Sequence, residues 1–177
     1  MPLLKSDNLR RQKLKGDLAT VLGILDDIDS ADAELFIKWM RLKTQLFCDA
    51  VSNKPYHNLP NNLKRGDIVL CDLGINIPPE FSDKKTGKHF VVFWAQQGHN
   101  AVVIPITKKA NEQNKYTVLL GAIEGLPEKE NYIKLDAIRS VSLRRISRVT
   151  GSRNGKISVE HIVPVIKDAI IKHFVDD

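Results

Sequence analysis

The chain has 177 residues, 42% of them hydrophobic, with a formal charge of +6 and a pI near 9.3. That size supports one principal domain with a real core, plus an appendage. No apolar run approaches the roughly 18 residues of a membrane span, and "MPLLKSDNLRRQKLK" lacks the apolar core of a secretory signal. Cys48 and Cys71 show no CxxC spacing and no nearby histidine pattern, which points to a reduced cytoplasmic protein without a structural zinc site; no metal or cofactor is expected.

Charge is unevenly placed. Residues 1–60 hold nine Lys/Arg and eight Asp/Glu, whereas residues 61–177 hold 18 and 13. The positive bias of the second part fits a phosphate-bearing partner, although mild basicity is also common among soluble proteins.

Leu14, Leu18, Val21, Leu25 and Ile28 recur at steps of four and three, the signature of one helix face. "DDIDSADAE" interrupts them, and Asp29 or Ser30 is placed to cap a second helix. Ala33, Phe36, Ile37, Met40, Phe47, Ala50 and Val51 form its stripe. Residues 1–60 are therefore expected to be an antiparallel helical hairpin ending in the linker "SNKPYHNLPNN".

Residues 61–177 have a different texture. "DIVLCDLG" reads as a strand, "INIPPEFSDKKTGK" as a long polar loop, and Phe90–Ala95 and Ala101–Ile106 as further strands. "KYTVLLGA", "NYIKLDAI" and "RSVSLRRISRV" supply more strands, and "SRNG" a turn. Ser158 is placed to cap a last helix through Phe174, with Pro164 forcing a late start or a kink. Short strands closed by one helix predict a small, strongly curved antiparallel sheet or barrel in an α+β chain. The unalternating runs "FVVFWA" and "AVVIPI" predict strands covered on both faces.

The stretch from Gly87 to Thr107 carries the chemistry. In an antiparallel ladder, paired residue numbers keep a constant sum. That sum is 196 if Ala95 pairs with Ala101, and also for His89 with Thr107. The imidazole and hydroxyl would then share one face, with Cβ atoms about 5 Å apart. Imidazole exchanges protons near neutral pH, a hydroxyl can hold a phosphate oxygen, and Lys88, Lys108 and Lys109 can offset developing charge. RNA supplies its own nucleophile, the 2′-hydroxyl. The plainer alternative is a strand-end histidine bonded to backbone, and His99 reads as a solvated turn residue. HExxH, P-loop, GxSxG and GxGxxG motifs do not occur. Glu124, Glu128 and Glu130 read as a solvated face. Arg139, Arg144, Arg145, Arg148 and Arg153 form a basic run; on one continuous strand, Arg139 would share a face with Arg145 and oppose Arg144.

"KRGDIVLCDLG", "GKHFVVF", "AVVIPITKK" and "NYIKLDAIRSVSLRRI" occur in the order seen in the MazF/PemK toxins, and the chain resembles that family from about Leu63 to Phe174. The resemblance implies an SH3-like barrel with a carboxy-terminal helix, here at 61–177 behind the helical extension, and a homodimer. It implies the toxin of a type II toxin–antitoxin module: a metal-independent endoribonuclease that cleaves single-stranded RNA (mRNA) by 2′-hydroxyl attack. The products are a cyclic phosphate and a 5′-hydroxyl. The implied partner is an acidic, partly disordered antitoxin.

The family's catalytic arginine, followed by proline, falls on His89 and Phe90, and its catalytic threonine on Thr107. Arg65 and Arg139 match family positions that hold the site or RNA, and Lys108 lies beside Thr107 as a further RNA contact. Histidine carries protons better than arginine but is a weaker permanent cation. Three readings stay open. His89 takes over acid–base work with Lys88 supplying charge; Lys88 itself replaces the arginine; or the domain binds without cutting. Competing with the ribonuclease are a non-catalytic nucleic-acid-binding or topoisomerase-directed toxin on the same barrel, and an interaction protein working through its helical hairpin.

Overall fold

The computed structural model describes residues 3–76, 88–109 and 114–176. Most of the loop between Gly74 and Gly87, with Glu80, therefore lies outside the described residues. The chain forms two compact units, Met1–Lys43 and Thr44–Asp177, whose boundary falls inside a helix.

In the first unit, α1 (Asn8–Leu25) and the start of α2 (Ser30–Val51) follow a short 3₁₀ turn at Leu4–Ser6. Both helices are capped by aspartate. Asp7 accepts from the Arg10 amide at 3.1 Å, and Asp29 from the Ala31 amide at 2.9 Å, each satisfying a donor the helix leaves orphaned. The expected stripe is present but not buried. Leu14 and Leu18 are about half exposed, Ile28 lies in the connecting turn, and α1 holds no buried residue. Ala33, Phe36 and Met40 are partly covered, while Phe47 and Val51 stay exposed.

Among the described residues, the second unit holds an antiparallel sheet of eight strands: β1 (Asp67–Cys71), β2 (His89–Gln97), β3 (Asn100–Thr107), β4 (Thr117–Gly121), β5 (Asn131–Lys134), β6 (Arg139–Ser142), β7 (Ile146–Ser147) and β8 (Ile157–Ser158). The path β4-β5-β3-β2-β1-β7 is open, with β6 branching from β3 and β8 from β1. One edge of β3 is shared: residues 100–103 pair with β6 and residues 106–107 with β5. Pro105 lies where the partner changes, the position in which a residue without an N–H costs the sheet least.

Both faces are covered, as the unalternating runs require. On one, Ile68, Val92, Ile104 and Ile133 pack with Ile162 and Ile166 of α3 (Ile162–Phe174). On the other, Val69, Val91, Phe93 and Val103 pack with Val141 and Ile146. The segment read as a linker covers that second core: Tyr56, Leu59 and Leu63 pack against it, and Pro60 is buried.

Two local expectations, the continuous "RSVSLRRISRV" strand and the Ser158 cap, are corrected, and the late start of the last helix is met. "RSVSLRRISRV" is two strands broken by a 3₁₀ turn at Leu143–Arg145, so Arg144 and Arg145 do not alternate on a strand with Arg139. The Arg144 guanidinium instead donates to the carbonyls of Lys54 and Pro55 and lies 4.9 Å from the Tyr56 ring centroid. α3 starts late, with Pro164 in its first turn where the missing N–H is harmless. Ser158 does not cap it; its hydroxyl donates to Asp67 at 2.7 Å.

Asp67 is the structural knot. Its carboxylate accepts from Lys156 Nζ at 2.6 Å, Ser158 Oγ at 2.7 Å and the Lys64 amide at 2.7 Å. The Asp67 and Lys156 side chains are 4% and 9% exposed. Removing one member of a buried pair strands the other charge. Asp67→Ala is expected to lower the unfolding free energy by about 3–5 kcal/mol, read from the urea midpoint; a loss under ~1 kcal/mol, the range of surface pairs, would contradict the role given to it.

Candidate active site

The β2–β3 hairpin is tighter at its tip than the expected pairing. Gln97 pairs with Asn100 across the turn Gly98–His99, and Ala95 pairs with Val102 rather than Ala101. Gly98 has φ 56°, which the first central residue of a II′ turn requires. A bulge between Phe93 and Ala95 then absorbs one residue of β2. Below it the pairs are Phe93↔Val103, Val92↔Ile104 and Val91↔Pro105, whose numbers do sum to 196.

The recorded pairing ends at Val91↔Pro105. Pro105 has no N–H, so that rung cannot exchange two hydrogen bonds, and rung types alternate. Carried two residues further, the same register would set His89 opposite Thr107 on a rung of the same type, in which side chains approach most closely. Alternation puts both on the Val91–Val103 side, and both are partly exposed. His89 pairs on its other edge with Cys71, and Thr107 on its other edge with Tyr132.

The other expected site residues are spread more widely. Lys88 donates to Ser147 Oγ at 2.8 Å, across β1 on β7, and alternation groups it with Phe90 rather than with His89. Lys108 is exposed next to Thr107 and pairs with Glu128 at 3.2 Å. Arg65 is at the opposite end of β2, where it donates to the Trp94 carbonyl at 3.0 Å and lies 5.1 Å from the indole centroid. Arg139 pairs with Val103 at the middle of β3 and donates to the Ala137 carbonyl at 3.3 Å. The structure thus gathers His89, Thr107 and Lys108 toward one end of the hairpin and leaves Arg65 and Arg139 away from it. His99 is not merely solvated: its Nδ1 is 2.5 Å from the Tyr56 hydroxyl.

Two further residues lie at that end: Arg145, which the sequence shows only as one of a basic run, and Tyr132, which it does not mark. Arg145 precedes Ile146, which pairs with Cys71, the neighbour of His89; its guanidinium donates to the Leu73 carbonyl at 3.2 Å. Tyr132 lies directly across from Thr107, partly exposed, its hydroxyl donating to Glu130 at 2.8 Å. Only the β3–β5 pairing reveals Tyr132, since "NYIK" by itself marks no more than a strand. Among the described residues no group of three or more His, Cys, Asp or Glu is placed to hold a metal ion, and no helix is long and apolar enough to cross a membrane.

The hydrogen bond to the Glu130 carboxylate, then burial and the nearby negative charge, raise the Tyr132 phenol above the usual tyrosine value. The phenol therefore keeps its proton to higher pH than a free tyrosine. Glu130→Gln is expected to move one of the three tyrosine titrations downward, toward about 10, in a spectrophotometric alkaline titration. An unchanged curve would show that the pair does not persist in solution.

Comparison with known proteins adds one finding. Residues 64–173 match the family model of the PemK-like, MazF-like toxin of type II toxin-antitoxin systems. No curated protein matches the chain. The matched segment begins just before β1, ends in α3 and includes every strand of the sheet. It covers more than half of the chain, which therefore belongs to the PemK-like, MazF-like toxin family of type II toxin–antitoxin systems.

Proposed function

We propose that this toxin is an endoribonuclease that cleaves single-stranded RNA at the end of the β2–β3 hairpin, with His89 and Thr107 as its catalytic residues. The observation that supports this reading is the Val91↔Pro105 register of the hairpin, which, extended by two residues, would bring a proton-transfer group and a hydroxyl, both partly exposed, onto one rung. In the reaction the RNA 2′-oxygen forms a bond to the adjacent phosphorus as the bond to the 5′-oxygen breaks. His89 as neutral imidazole takes the 2′-hydroxyl proton. The departing 5′-oxygen takes a proton from solvent, giving a 5′-hydroxyl end and a cyclic phosphate. Thr107 donates its hydroxyl to a non-bridging oxygen, where charge accumulates in the transition state.

Lys88 is a weaker candidate for the compensating cation than sequence adjacency implied, because it is turned to Ser147. Lys108 is better placed. Its partner Glu128 is itself exposed, so a phosphate can displace that carboxylate at small cost. Tyr132, across from Thr107, offers a ring on which an unpaired base can stack. An acidic antitoxin would be drawn to the same basic unit.

The test is incubation of purified protein with single-stranded RNA in EDTA, followed by end analysis. Discrete fragments with 5′-hydroxyl ends are expected. His89→Ala and Thr107→Ala should each lower kcat by about 10²-fold or more, the lower range for losing a positioned catalytic group. Tyr132→Ala should raise KM several-fold with kcat little changed. RNA left intact at high protein concentration would instead support the binding-only reading, and variants that cleave like wild type would move the chemistry elsewhere.

A further inference from the structure

A second polar site lies at the other end of β1. Asn61, Asn62, Arg148, Arg153, Asn154 and Lys156 line a cavity of about 340 Å³. Among the described residues, no carboxylate and no apolar side chain contributes to that lining. The volume is at the small end of the range of pockets that hold discrete ligands.

The three cations are not equivalent. Lys156 is committed: it is paired with Asp67 and also donates to the Asn62 carbonyl. Arg148 and Arg153 have neither an ion pair nor a side-chain hydrogen bond among the described residues, and both are exposed. With Lys156 neutralised by Asp67, the cavity keeps two uncompensated guanidinium charges.

The frame that carries them is ordered. The turn between Arg148 and Lys156 is closed by the Val149 amide to the Gly155 carbonyl at 2.8 Å, and by Ser152 Oγ to the Val149 carbonyl at 2.9 Å. Gly155 has φ 73°, and a Cβ there would stand 2.7 Å from Arg148 Cγ. The Arg148 stem thus lies directly on the glycine, which limits where its guanidinium can go. Lys156, held by the buried pair, ties the turn to β1.

A guanidinium presents two parallel N–H donors that match a pair of phosphate oxygens. Carboxamides add donors without adding negative charge. Two free guanidinium groups and three carboxamides around a small cavity match a phosphate dianion or a phosphodiester flanked by polar groups. The site is separate from the one proposed for cleavage. Asp67 and Cys71 are the two ends of β1, about 13 Å apart at strand rise, and Cys71 is the one paired with His89.

We propose that this cavity binds a phosphate group carried by a nucleotide or by a single-stranded RNA. Phosphate recognition is common to the two sources. If the source is RNA, the cavity is a remote subsite, and only in that case does it lean on the ribonuclease reading.

The test uses the full chain and two probes: 5′-AMP by calorimetry, and a short 2′-O-methyl oligoribonucleotide by fluorescence anisotropy across a salt series. The variant is Arg148→Gln/Arg153→Gln, which keeps polar donors while removing charge; its urea midpoint checks that the fold is intact. Wild type should bind at least one probe, and the variant should bind it at least ten-fold more weakly. If the strand is the ligand, the slope of log K against log salt should also shrink by about 1.4, two phosphate contacts at roughly 0.7 each. If the free nucleotide is the ligand, 5′-AMP should bind and adenosine should not. Failure of wild type to bind either probe, or equal binding by wild type and a folded variant, would overturn the proposal. The 2′-O-methyl strand lacks the nucleophile, so neither result depends on cleavage, and loss of the ribonuclease reading would leave this one standing.

Discussion

A buried carboxylate fixes where the sheet begins. Asp67 gathers the Lys64 amide, the Ser158 hydroxyl and the Lys156 ammonium, so the segment before β1, β1 itself and β8 meet at one group. A buried ion pair contributes little net stability over an apolar replacement, because desolvation offsets most of the attraction. Its value here is positional: other placements of β8 would leave one charge buried and alone. The preceding Gly66 adds a second constraint. With φ 91°, and with Val163 Cγ2 only 2.6 Å from where a Cβ would stand, it lets the first turn of α3 approach the strand. The dipeptide Gly66–Asp67, uninformative as a motif, thus sets both the anchor of the sheet and the seat of its helix.

From that anchor the geometry passes strand by strand. β1 fixes β2 through Val69↔Val91 and Cys71↔His89, and β2 fixes β3 through Val91↔Pro105. Pro105 acts twice. Toward β2 its missing N–H selects the rung type, and toward the other edge it falls between β6 and β5, where no ladder bond is lost. The register of β3 against β2 is therefore set by backbone constraints well inside the sheet.

Legibility in the sequence followed the same logic. Strand existence could be read from Val/Ile runs, the late start of α3 from Pro164, and the cap of α2 from Asp29, because each rests on local chemistry. The expected pairing sum of 196 fails at the tip, where the turn holds two residues rather than five, and holds from Phe93↔Val103 to Val91↔Pro105 because a bulge between Phe93 and Ala95 restores the count. Neither shows in the sequence, since "FVVFWA" is apolar on both faces and a shift of one residue leaves its pattern unchanged. The 3₁₀ turn at Leu143–Arg145 was hidden for a related reason: its buried Leu143 looks like any strand residue. The segment 52–62 has a linker's composition, yet its Tyr56, Leu59 and Pro60 are used to cover a core, which composition alone cannot report.

In the proposed site, where the resemblance puts His89 at the position of a family arginine, the rest of the site must supply different chemistry. An arginine brings permanent charge and little capacity for proton transfer, and an imidazole brings the reverse. The charge then has to come from elsewhere at the same end of the sheet. Lys88 is turned to Ser147 and Arg145 is held by the Leu73 carbonyl, both at the β1–β7 side. Lys108, adjacent to Thr107, is restrained among the described residues by an exposed pair with Glu128. Such a pair contributes at most about 1 kcal/mol, whereas a phosphate placed between Lys108 and Thr107 offers full anionic charge to the same ammonium. For the proposed cleavage site, this exposed pair is thus one that a phosphate can displace at small cost.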